Sequence, residues 1–264
     1  MSASRYGSPQ RGRVGHRRGW STVRFFLTDV LQTITAINSM EPDPIYVRDA
    51  FARIADRYVL TNHLLSGGMD FWWRHVVASR LHEWHPGRLL DVASGTGDLA
   101  LKIQQVLPDC AVIATDFCAE MLAHATHRGL RHTVVADALA LPFQSGEFDV
   151  VTVAFGLRNM ADYPTALGEM CRVLKPGGHL VILDFSLPTS WLRIPYRFYL
   201  HRILPHLAGW LTGERDAYEY LGQSIEAFPS GSAMTGLLES CGFGQTSFTP
   251  LTLGVVTLYQ GTRL

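Results

Sequence analysis

The fold of this 264-residue chain is decided by the stretch Leu89-Leu90-Asp91-Val92-Ala93-Ser94-Gly95-Thr96-Gly97. Its first half is a short apolar run of strand length, and its second half is a turn in which Gly95 and Gly97 let the backbone approach a ligand. Beyond the turn, Leu99 and Ile103 recur at helical spacing. A strand that runs through glycines into a helix is typical of a parallel α/β sheet, and the helix N-terminus offers free amides to an anionic group.

Further apolar runs of strand length alternate with helical patterns along the chain. We predict five parallel strands joined by right-handed crossovers, at residues 88–93, 111–115, 133–135, 148–154 and 179–185. Two more predicted strands, 243–249 and 255–259, are joined by too few residues for a parallel connection. The sequence therefore predicts a doubly wound, mostly parallel seven-stranded α/β sheet with an antiparallel C-terminal edge hairpin.

The N-terminal part divides into two segments. Residues 1–39 are rich in Gly, Ser and Arg and lack apolar periodicity, so they are predicted to be a basic, disordered extension. An anionic-surface tether, a transit peptide and a translation start at Met40 are the alternatives for this extension. Residues 40–84 carry helical spacing and are predicted to form a helical cover, interrupted at Ser66-Gly67-Gly68, over the main domain, residues 40–264.

Composition excludes several functional classes. The net charge is zero, and six of the 23 basic residues precede Asp29, which leaves 17 basic against 23 acidic residues in the rest of the chain. That balance argues against a nucleic-acid partner. The four cysteines are scattered without metal-type spacing, so no metal site and a reducing compartment are expected. No apolar run is long enough to span a bilayer, and we expect a cytoplasmic protein.

Aspartates end three successive predicted strands, where folds of this type bind ligands. Asp91 would repel a pyrophosphate but suits a cofactor that carries an ammonium and a sulfonium. Asp116 is placed to accept hydrogen bonds from ribose hydroxyls, and Asp137, followed by Ala138, is placed to accept one from an adenine amino group. Each aspartate alone could be a helix N-cap, but the three in order predict a nucleoside-containing cofactor.

The glycine turn also fits a dinucleotide fingerprint, because residues 95–100 read G-x-G-x-x-A. A dehydrogenase that uses NAD is therefore an alternative from another enzyme class.

Two further motifs carry a family resemblance. They are Phe155-Gly156-Leu157-Arg158-Asn159, and Arg172-Val173-Leu174-Lys175-Pro176-Gly177-Gly178 followed by Asp184-Phe185-Ser186. With them, residues 45–264 resemble the ubiquinone/menaquinone biosynthesis C-methyltransferase family. A third family signature, around residues 57–73, is partly kept. Asp184 replaces the usual glutamate of the second motif, and Ala154 stands where some members have a serine that contacts the cofactor.

The resemblance implies a class I methyltransferase that transfers a methyl group from S-adenosylmethionine to a ring carbon of a prenylated quinol. The acceptor would be demethylmenaquinol or the equivalent ubiquinone precursor. It also implies that Thr96, Asp116, Asp137 and Ala138 contact the cofactor. A methyltransferase for another lipid or small molecule, and a non-catalytic cofactor-binding subunit of a quinone-synthesis complex, are the alternatives.

Methylation of a ring carbon requires a neighbouring hydroxyl to lose or share its proton. Arg158 is expected to stabilise the developing phenolate, and Asn159 is expected to hold the hydroxyl or a water that accepts the proton. The alternative for Arg158 is a salt bridge, or a cap on the helix after Asp162. Residues predicted to contact the substrate are Tyr58, Asn62, Phe155 and Asp184, and Asp184 is also a candidate base.

Residues 187–228 are predicted to form a helical insertion. Aromatic residues and arginines are interleaved within residues 187–211, a mixture suited to the surface of a membrane. Pro195 and Pro205 are expected to break this stretch into short helices. We expect peripheral contact with the inner face of the cytoplasmic membrane, while a lid, a homodimer contact or a quinone-synthesis assembly are the alternatives.

Overall fold

The computed structural model describes residues 66–189, 191–212 and 215–264. Within them the sheet has seven strands, in the order β3-β2-β1-β4-β5-β7-β6. The strands are β1 Arg88–Val92, β2 Ala111–Asp116, β3 Thr133–Val135, β4 Phe148–Ala154, β5 Leu174–Phe185, β6 Phe243–Leu251 and β7 Val256–Arg263. Strands β1 to β5 pair in parallel, and β7 is antiparallel to both β5 and β6. The predicted sheet is confirmed.

Helices pack on both faces of this sheet. They are α1 Met69–His82, α2 Asp98–Val106, α3 Ala119–His127, α4 Tyr163–Val173, α5 Arg193–Phe198, α6 Leu204–Thr212, α7 Arg215–Ala227 and α8 Ser232–Ser240. Successive residues of β1 enter different cores, because Leu89 packs with Ile103 of α2 and Leu90 packs with Met170 of α4. Burial on both faces explains why the parallel strands are continuous apolar runs in the sequence.

Several boundaries differ from the predicted ones. β5 begins at Leu174, five residues before the predicted start at residue 179, and its pairing with β4 shifts register between Phe148 and Val150. β7 extends to Arg263. α1 begins directly after Gly68, whose φ of 78° lies in the left-handed region. A helix boundary therefore lies at the position where the break was predicted.

The predictions for residues 1–65 lie outside the described residues. They include the basic extension 1–39, most of the helical cover 40–84, and the candidate substrate contacts Tyr58 and Asn62.

The prediction that Pro195 and Pro205 break the insertion into separate helices was wrong. α5 continues through a π-helical turn, Tyr199–Ile203, directly into α6. Pro195 lies in the first turn, where its missing N–H would have no partner in the helix. The wide π turn, in which hydrogen bonds span five residues, relieves the clash that Pro205 would otherwise cause with the preceding turn. Among the described residues, no helix is long and apolar enough to cross a membrane.

Gly97 is required for helix packing at the start of α2. Its φ is 80°, and a Cβ at this position would lie 2.8 Å from Cβ of Ala125 in α3. We predict that Gly97→Ala lowers the free energy of unfolding by about 1–3 kcal/mol, because the backbone and the contact are both strained.

Gly168, exposed within α4, is the matched control, because a Cβ there meets nothing within 4 Å. Gly168→Ala should stabilise the protein by about 0.5–1 kcal/mol through a gain in helix propensity. Urea denaturation measures both changes. An unfolding midpoint of Gly97→Ala at or above that of the wild type would contradict this account.

Candidate active site

A cavity of about 390 Å³ opens at the carboxyl ends of β1, β2 and β4. It lies where the chain reverses its direction of travel across the sheet, between β1 and β4, which is the usual ligand crevice of a doubly wound fold. Predicted cofactor residues on its wall are Asp91, Gly95, Thr96, Asp116, Asp137 and Ala138. Phe155, Arg158 and Asn159 also line it, whereas Gly97 and Asp184 do not.

Asp91 is a buried carboxylate at the end of β1, only 1% exposed. The hydroxyls of Ser94 and Thr152 donate to its two oxygens at 2.6 and 2.5 Å. Thr152 is its register partner in β4, so the strand pairing itself supplies one donor. Burial raises the pKa of Asp91 to about 6. Within the described part of the chain no cation forms an ion pair with this carboxylate, which leaves it able to receive the ammonium group of a ligand.

Asp116 connects the end of β2 to the glycine turn. Its carboxylate accepts the Gly95 N–H at 2.7 Å and the Cys118 N–H at 2.9 Å, one on each oxygen. Each oxygen keeps a second lone pair, so ribose hydroxyls can still be bound there. Burial raises the pKa of Asp116, and the backbone N–H groups of Cys118, Gly95 and Phe117 oppose that rise.

Thr96 and Asp137 complete the row of predicted cofactor residues. Thr96 is buried, and its hydroxyl donates to Asp98 at 3.2 Å. Asp137 is exposed after β3, and one of its oxygens accepts the Leu139 N–H at 2.9 Å. The other oxygen of Asp137 makes no hydrogen bond with the residues that the structure describes, so it is suited to accept one from an amino group.

Gly97 was predicted to let the backbone approach the ligand, and the structure gives it another role. It lies behind the cavity wall, where it permits the contact between α2 and α3 described above.

Arg158 lies in a 3₁₀ turn, Leu157–Asn159, which is separated from the end of β4 by two residues. Its Nη1 donates to Oδ1 of Asp184 at 2.6 Å and to the Phe155 carbonyl at 2.7 Å. The side chains of this ion pair are 5% and 0% exposed. Nε and Nη2 make no hydrogen bond with the described residues. The salt bridge considered as an alternative is therefore present, and it leaves two nitrogens of the guanidinium without a partner in this part of the chain.

Asp184 does not face the substrate space. It is fully buried, it accepts the Phe185 N–H at 2.8 Å, and it lies behind Arg158. Burial raises the pKa of its carboxyl, and the Arg158 guanidinium opposes that rise. The geometry gives no support to the predicted contact of Asp184 with the substrate or to its use as the base. It supports a positioning role through Arg158.

Aromatic rings form the apolar part of the cavity wall. The Phe155 ring lies 4.7 Å from that of Phe185 and 5.9 Å from that of Trp73, measured between centroids. The Phe155 backbone has a φ of 59°, and its carbonyl accepts a hydrogen bond from the Asn159 side chain at 3.4 Å. A dry wall of this kind suits a flat aromatic ligand.

Sequence reasoning missed several polar residues of the cavity wall. Arg74 of α1 pairs with Asp70, one turn earlier, and lies 3.6 Å from Asp98. The spacing of Asp70 and Arg74 by four residues was a usable signal. Tyr196 and Tyr199, also on the wall, gave no such signal, because their pattern resembled that of a membrane-facing surface.

The sheet with its antiparallel edge and the row of strand-end aspartates define a class I methyltransferase, and S-adenosylmethionine is its methyl donor. The carboxylates of this row fit a ligand that carries an ammonium, a sulfonium and ribose hydroxyls. A family model described as the ubiE/COQ5 methyltransferase family matches residues 38–263. The chain belongs to this family.

Related proteins align with most of this chain. A demethylmenaquinone methyltransferase of Thermus thermophilus is 46% identical over 219 residues, which cover 81% of this chain and 99% of that protein. A protein of the same name from Deinococcus radiodurans is 39% identical, covering 82% and 92%. The ubiquinone/menaquinone biosynthesis C-methyltransferase UbiE of Geobacter sulfurreducens is 42% identical, covering 82% and 88%.

Solved structures confirm the fold alone. A SAM-dependent methyltransferase of Thermotoga maritima superposes with a TM-score of 0.59 at 18% sequence identity, covering 81% of this chain and 98% of that one. A SAM-dependent methyltransferase of Aquifex aeolicus gives a TM-score of 0.51 at 16% identity, covering 71% and 89%.

Substitution of Asp91 is expected to have opposite effects on the stability of the protein and on cofactor binding. Because its folded pKa is raised to about 6, the native state loses stability as the pH rises from about 4 through 6, and the carboxylate destabilises the ligand-free protein above that window. Asp91→Asn should therefore raise the free energy of unfolding at pH 8 by about 1–3 kcal/mol. It should also weaken S-adenosylhomocysteine binding at least about tenfold, because the ammonium loses its charged acceptor.

Thermal melting without ligand and calorimetry with S-adenosylhomocysteine measure the two effects. In the wild type, the affinity should fall below pH 6 as Asp91 becomes protonated, and this pH dependence should be absent in Asp91→Asn. Asp149→Asn is the control, since Asp149 has a lowered pKa and lies beside Lys175 near the amino end of β4, away from the cavity. It should lower stability and leave binding unchanged. Unaltered affinity in Asp91→Asn would exclude the ammonium contact.

Proposed function

We propose that this enzyme methylates a ring carbon of a prenylated quinol, demethylmenaquinol or the equivalent ubiquinone precursor, in quinone biosynthesis. The observation that carries the proposal is Arg158, a buried cation on the same cavity wall as the aromatic rings of Phe155 and Phe185. A flat phenolic ring fits this combination, because the rings hold its faces and the cation stabilises charge on its oxygen. The names of the Thermus and Deinococcus relatives agree with such a substrate.

The cofactor would be held at the carboxyl edge of β1 to β3. Asp91 would receive the ammonium, the Gly95–Thr96 turn would lie along the methionyl part, and Asp116 would accept the ribose hydroxyls. Asp137 and Ala138 would border the adenine. S-adenosylmethionine supplies an electrophilic methyl group on its sulfonium. The residues of this chain orient that methyl group toward the substrate ring and exclude water.

The substrate ring reacts when its hydroxyl loses or shares a proton. Electron density from the oxygen enters the ring, and the ring carbon forms a bond to the methyl carbon while the sulfur–methyl bond breaks. The hydrogen on that carbon leaves to water as a proton when aromaticity is restored, and the oxygen regains a proton, so that one proton is released in total. Arg158 stabilises the phenolate through the nitrogens that Asp184 does not occupy. Asn159 holds the water that accepts the hydroxyl proton.

The continuous helical segment α5–α6 has two dissimilar faces. Tyr196, Leu200 and Leu204 line the cavity on one side. Large apolar side chains are exposed elsewhere on the segment or just before it, with Trp191 and Ile194 each 81% exposed and Phe198 61% exposed. Apolar residues at the boundary of a helix that lines a cavity suit an enzyme whose substrate is a lipid.

Charge indicates what covers the exposed face. Arg193 and Arg202 are exposed on the segment, and no acidic residue occurs between Asp184 and Glu214. Cations mixed with aromatic side chains match an anionic lipid surface. We therefore place this face on the inner surface of the cytoplasmic membrane, from which the quinol would enter the cavity.

Vesicle binding tests the membrane contact. The double variant Trp191→Ser/Ile194→Ser should bind vesicles that contain an anionic phospholipid at least about tenfold more weakly, because two apolar side chains no longer enter the lipid. Methyl transfer to a soluble short-chain quinol should be unchanged. Leu264→Ser is the matched control, since Leu264 is 82% exposed at the C-terminus. Equal vesicle binding by the wild type, the double variant and Leu264→Ser would contradict the membrane contact. A dimer that is lost only in the double variant would also contradict it.

The chemistry predicts strict dependence on the reduced substrate and on Arg158. Single-turnover methyl transfer to short-chain demethylnaphthoquinol and to its benzoquinol counterpart should require a reductant, since an oxidised ring has no hydroxyl to deprotonate. Arg158→Ala should remove roughly 2.7–4 kcal/mol of transition-state stabilisation while leaving S-adenosylhomocysteine affinity within about twofold.

Arg158→Lys is the companion variant, because removal of one partner from a buried ion pair destabilises the fold. It keeps a cation beside Asp184 but lacks the additional donors of the guanidinium, so it should fold and still react slowly. Equal rates on oxidised substrate would contradict the mechanism. A loss confined to cofactor affinity would remove Arg158 from the reaction.

A further inference from the structure

The mechanism leaves one group on the cavity wall unused, the tyrosines of the α5–α6 segment. Tyr196 and Tyr199 both line the cavity, and their rings stack with centroids 6.3 Å apart at an interplanar angle of 22°. Both side chains are partly buried. A stacked pair on the same wall could serve only as apolar surface, or one of its hydroxyls could take part in the reaction.

Phe185 contacts Arg158 and packs against the same buried cluster as Tyr196. The Arg158 guanidinium carbon lies 5.2 Å from the centroid of the Phe185 ring. Phe185 and Tyr196 both pack against the buried cluster that contains Leu200. The charge of Arg158 also acts on the Tyr196 hydroxyl, whereas that of Tyr199 is affected by burial alone. Of the stacked pair on the cavity wall, Tyr196 is therefore the one whose hydroxyl the charge of Arg158 reaches.

The Tyr196 hydroxyl is available as a donor. It makes no hydrogen bond with residues 66–189, 191–212 or 215–264. Burial raises the pKa of Tyr196 above its ordinary value, and Arg158 only partly opposes this. The hydroxyl consequently keeps its proton at neutral pH, so it can donate a hydrogen bond but cannot act as the base.

We propose that the Tyr196 hydroxyl donates a hydrogen bond to the same quinol oxygen that Arg158 stabilises, so that the two side chains together bind the developing phenolate. This inference rests on the proposed function. Tyr196 retains its proton throughout, and the quinol proton still leaves to the water held by Asn159. A neutral donor beside a cation strengthens its hydrogen bond as negative charge grows on the oxygen, which favours the transition state over the neutral substrate.

Tyr196→Phe removes the hydroxyl and keeps the ring, and Tyr199→Phe is the matched control on the same wall. In the full-length enzyme, Tyr196→Phe should slow single-turnover methyl transfer about 10- to 100-fold, the range expected for one lost hydrogen bond to a charged group. The affinity for S-adenosylhomocysteine should stay within about twofold. Tyr199→Phe should change neither quantity by more than about twofold.

A second readout does not depend on turnover. Bound 2-naphthol, a soluble stand-in for the quinol ring, reports its own ionisation through the absorbance of the naphtholate. Wild-type enzyme saturated with S-adenosylhomocysteine should lower the apparent pKa of the bound naphthol, and Arg158→Lys and Tyr196→Phe should each reduce that shift. Tyr199→Phe should preserve it.

The outcomes separate this inference from the proposed function. If Arg158→Lys reduces the naphthol shift and Tyr196→Phe does not, the Tyr196 inference is overturned and the function stands. If neither variant changes the shift, the phenolate site and the function that depends on it are both overturned. If Tyr196→Phe weakens naphthol binding without changing its ionisation, the hydroxyl binds the neutral and the ionised ring equally well, and the inference is overturned.

Discussion

Carboxylates buried at the ends of parallel strands are the constraint on which the rest of this structure depends. Asp91, Asp116 and Asp184 are 1%, 7% and 0% exposed, and each would be costly to bury without partners. Each is satisfied by a different kind of donor. Asp91 has two hydroxyls, Asp116 has two backbone amides, and Asp184 has a guanidinium. The strength of the donor decides how much capacity each carboxylate keeps for a ligand.

That difference divides the site into two halves. Hydroxyl and amide donors leave Asp91 and Asp116 on the cavity wall with lone pairs to spare, and both carboxyls have a raised pKa because of burial. Asp184 is neutralised by Arg158 and lies behind the wall. The half lined by Asp91 and Asp116 therefore carries negative charge, and the half beside Arg158 is close to neutral. This division suits the cationic cofactor and uncharged lipid-like substrate proposed above.

The sequence was informative where the structure is local and periodic. Parallel strands buried on both faces are apolar runs, so the strands and the aspartates that follow them could be predicted, and nine of the predicted site residues line one cavity. Contacts between distant residues could not be predicted in the same way. Arg158 and Asp184 are 26 residues apart and meet only because β4 and β5 are neighbours.

Other features were missed because one sequence pattern is compatible with two structures. A proline normally ends a helix, but a π turn before Pro205 removes the conflict, and nothing in the sequence specifies that turn. Alternating aromatic residues and arginines resembled a membrane surface throughout the insertion. The structure divides them, with Tyr196 on the cavity and Trp191 exposed to solvent. Gly97 was predicted to let the backbone approach a ligand, and the structure shows that Ala125 lies too close for a Cβ at this position.

The ion pair of Arg158 and the proposed role of Arg158 in catalysis are compatible, since the pair determines when the cation acts. An isolated buried guanidinium would be costly, and it would bind anions whether or not they were substrates. Pairing with Asp184 makes the region neutral overall. A neutral quinol can therefore enter without removing solvent from an unpaired charge. Asp184 also fixes the direction of the guanidinium through Nη1, which leaves Nε and Nη2 pre-oriented. Their attraction for the substrate grows only as the oxygen acquires negative charge, which is the differential binding that lowers a barrier.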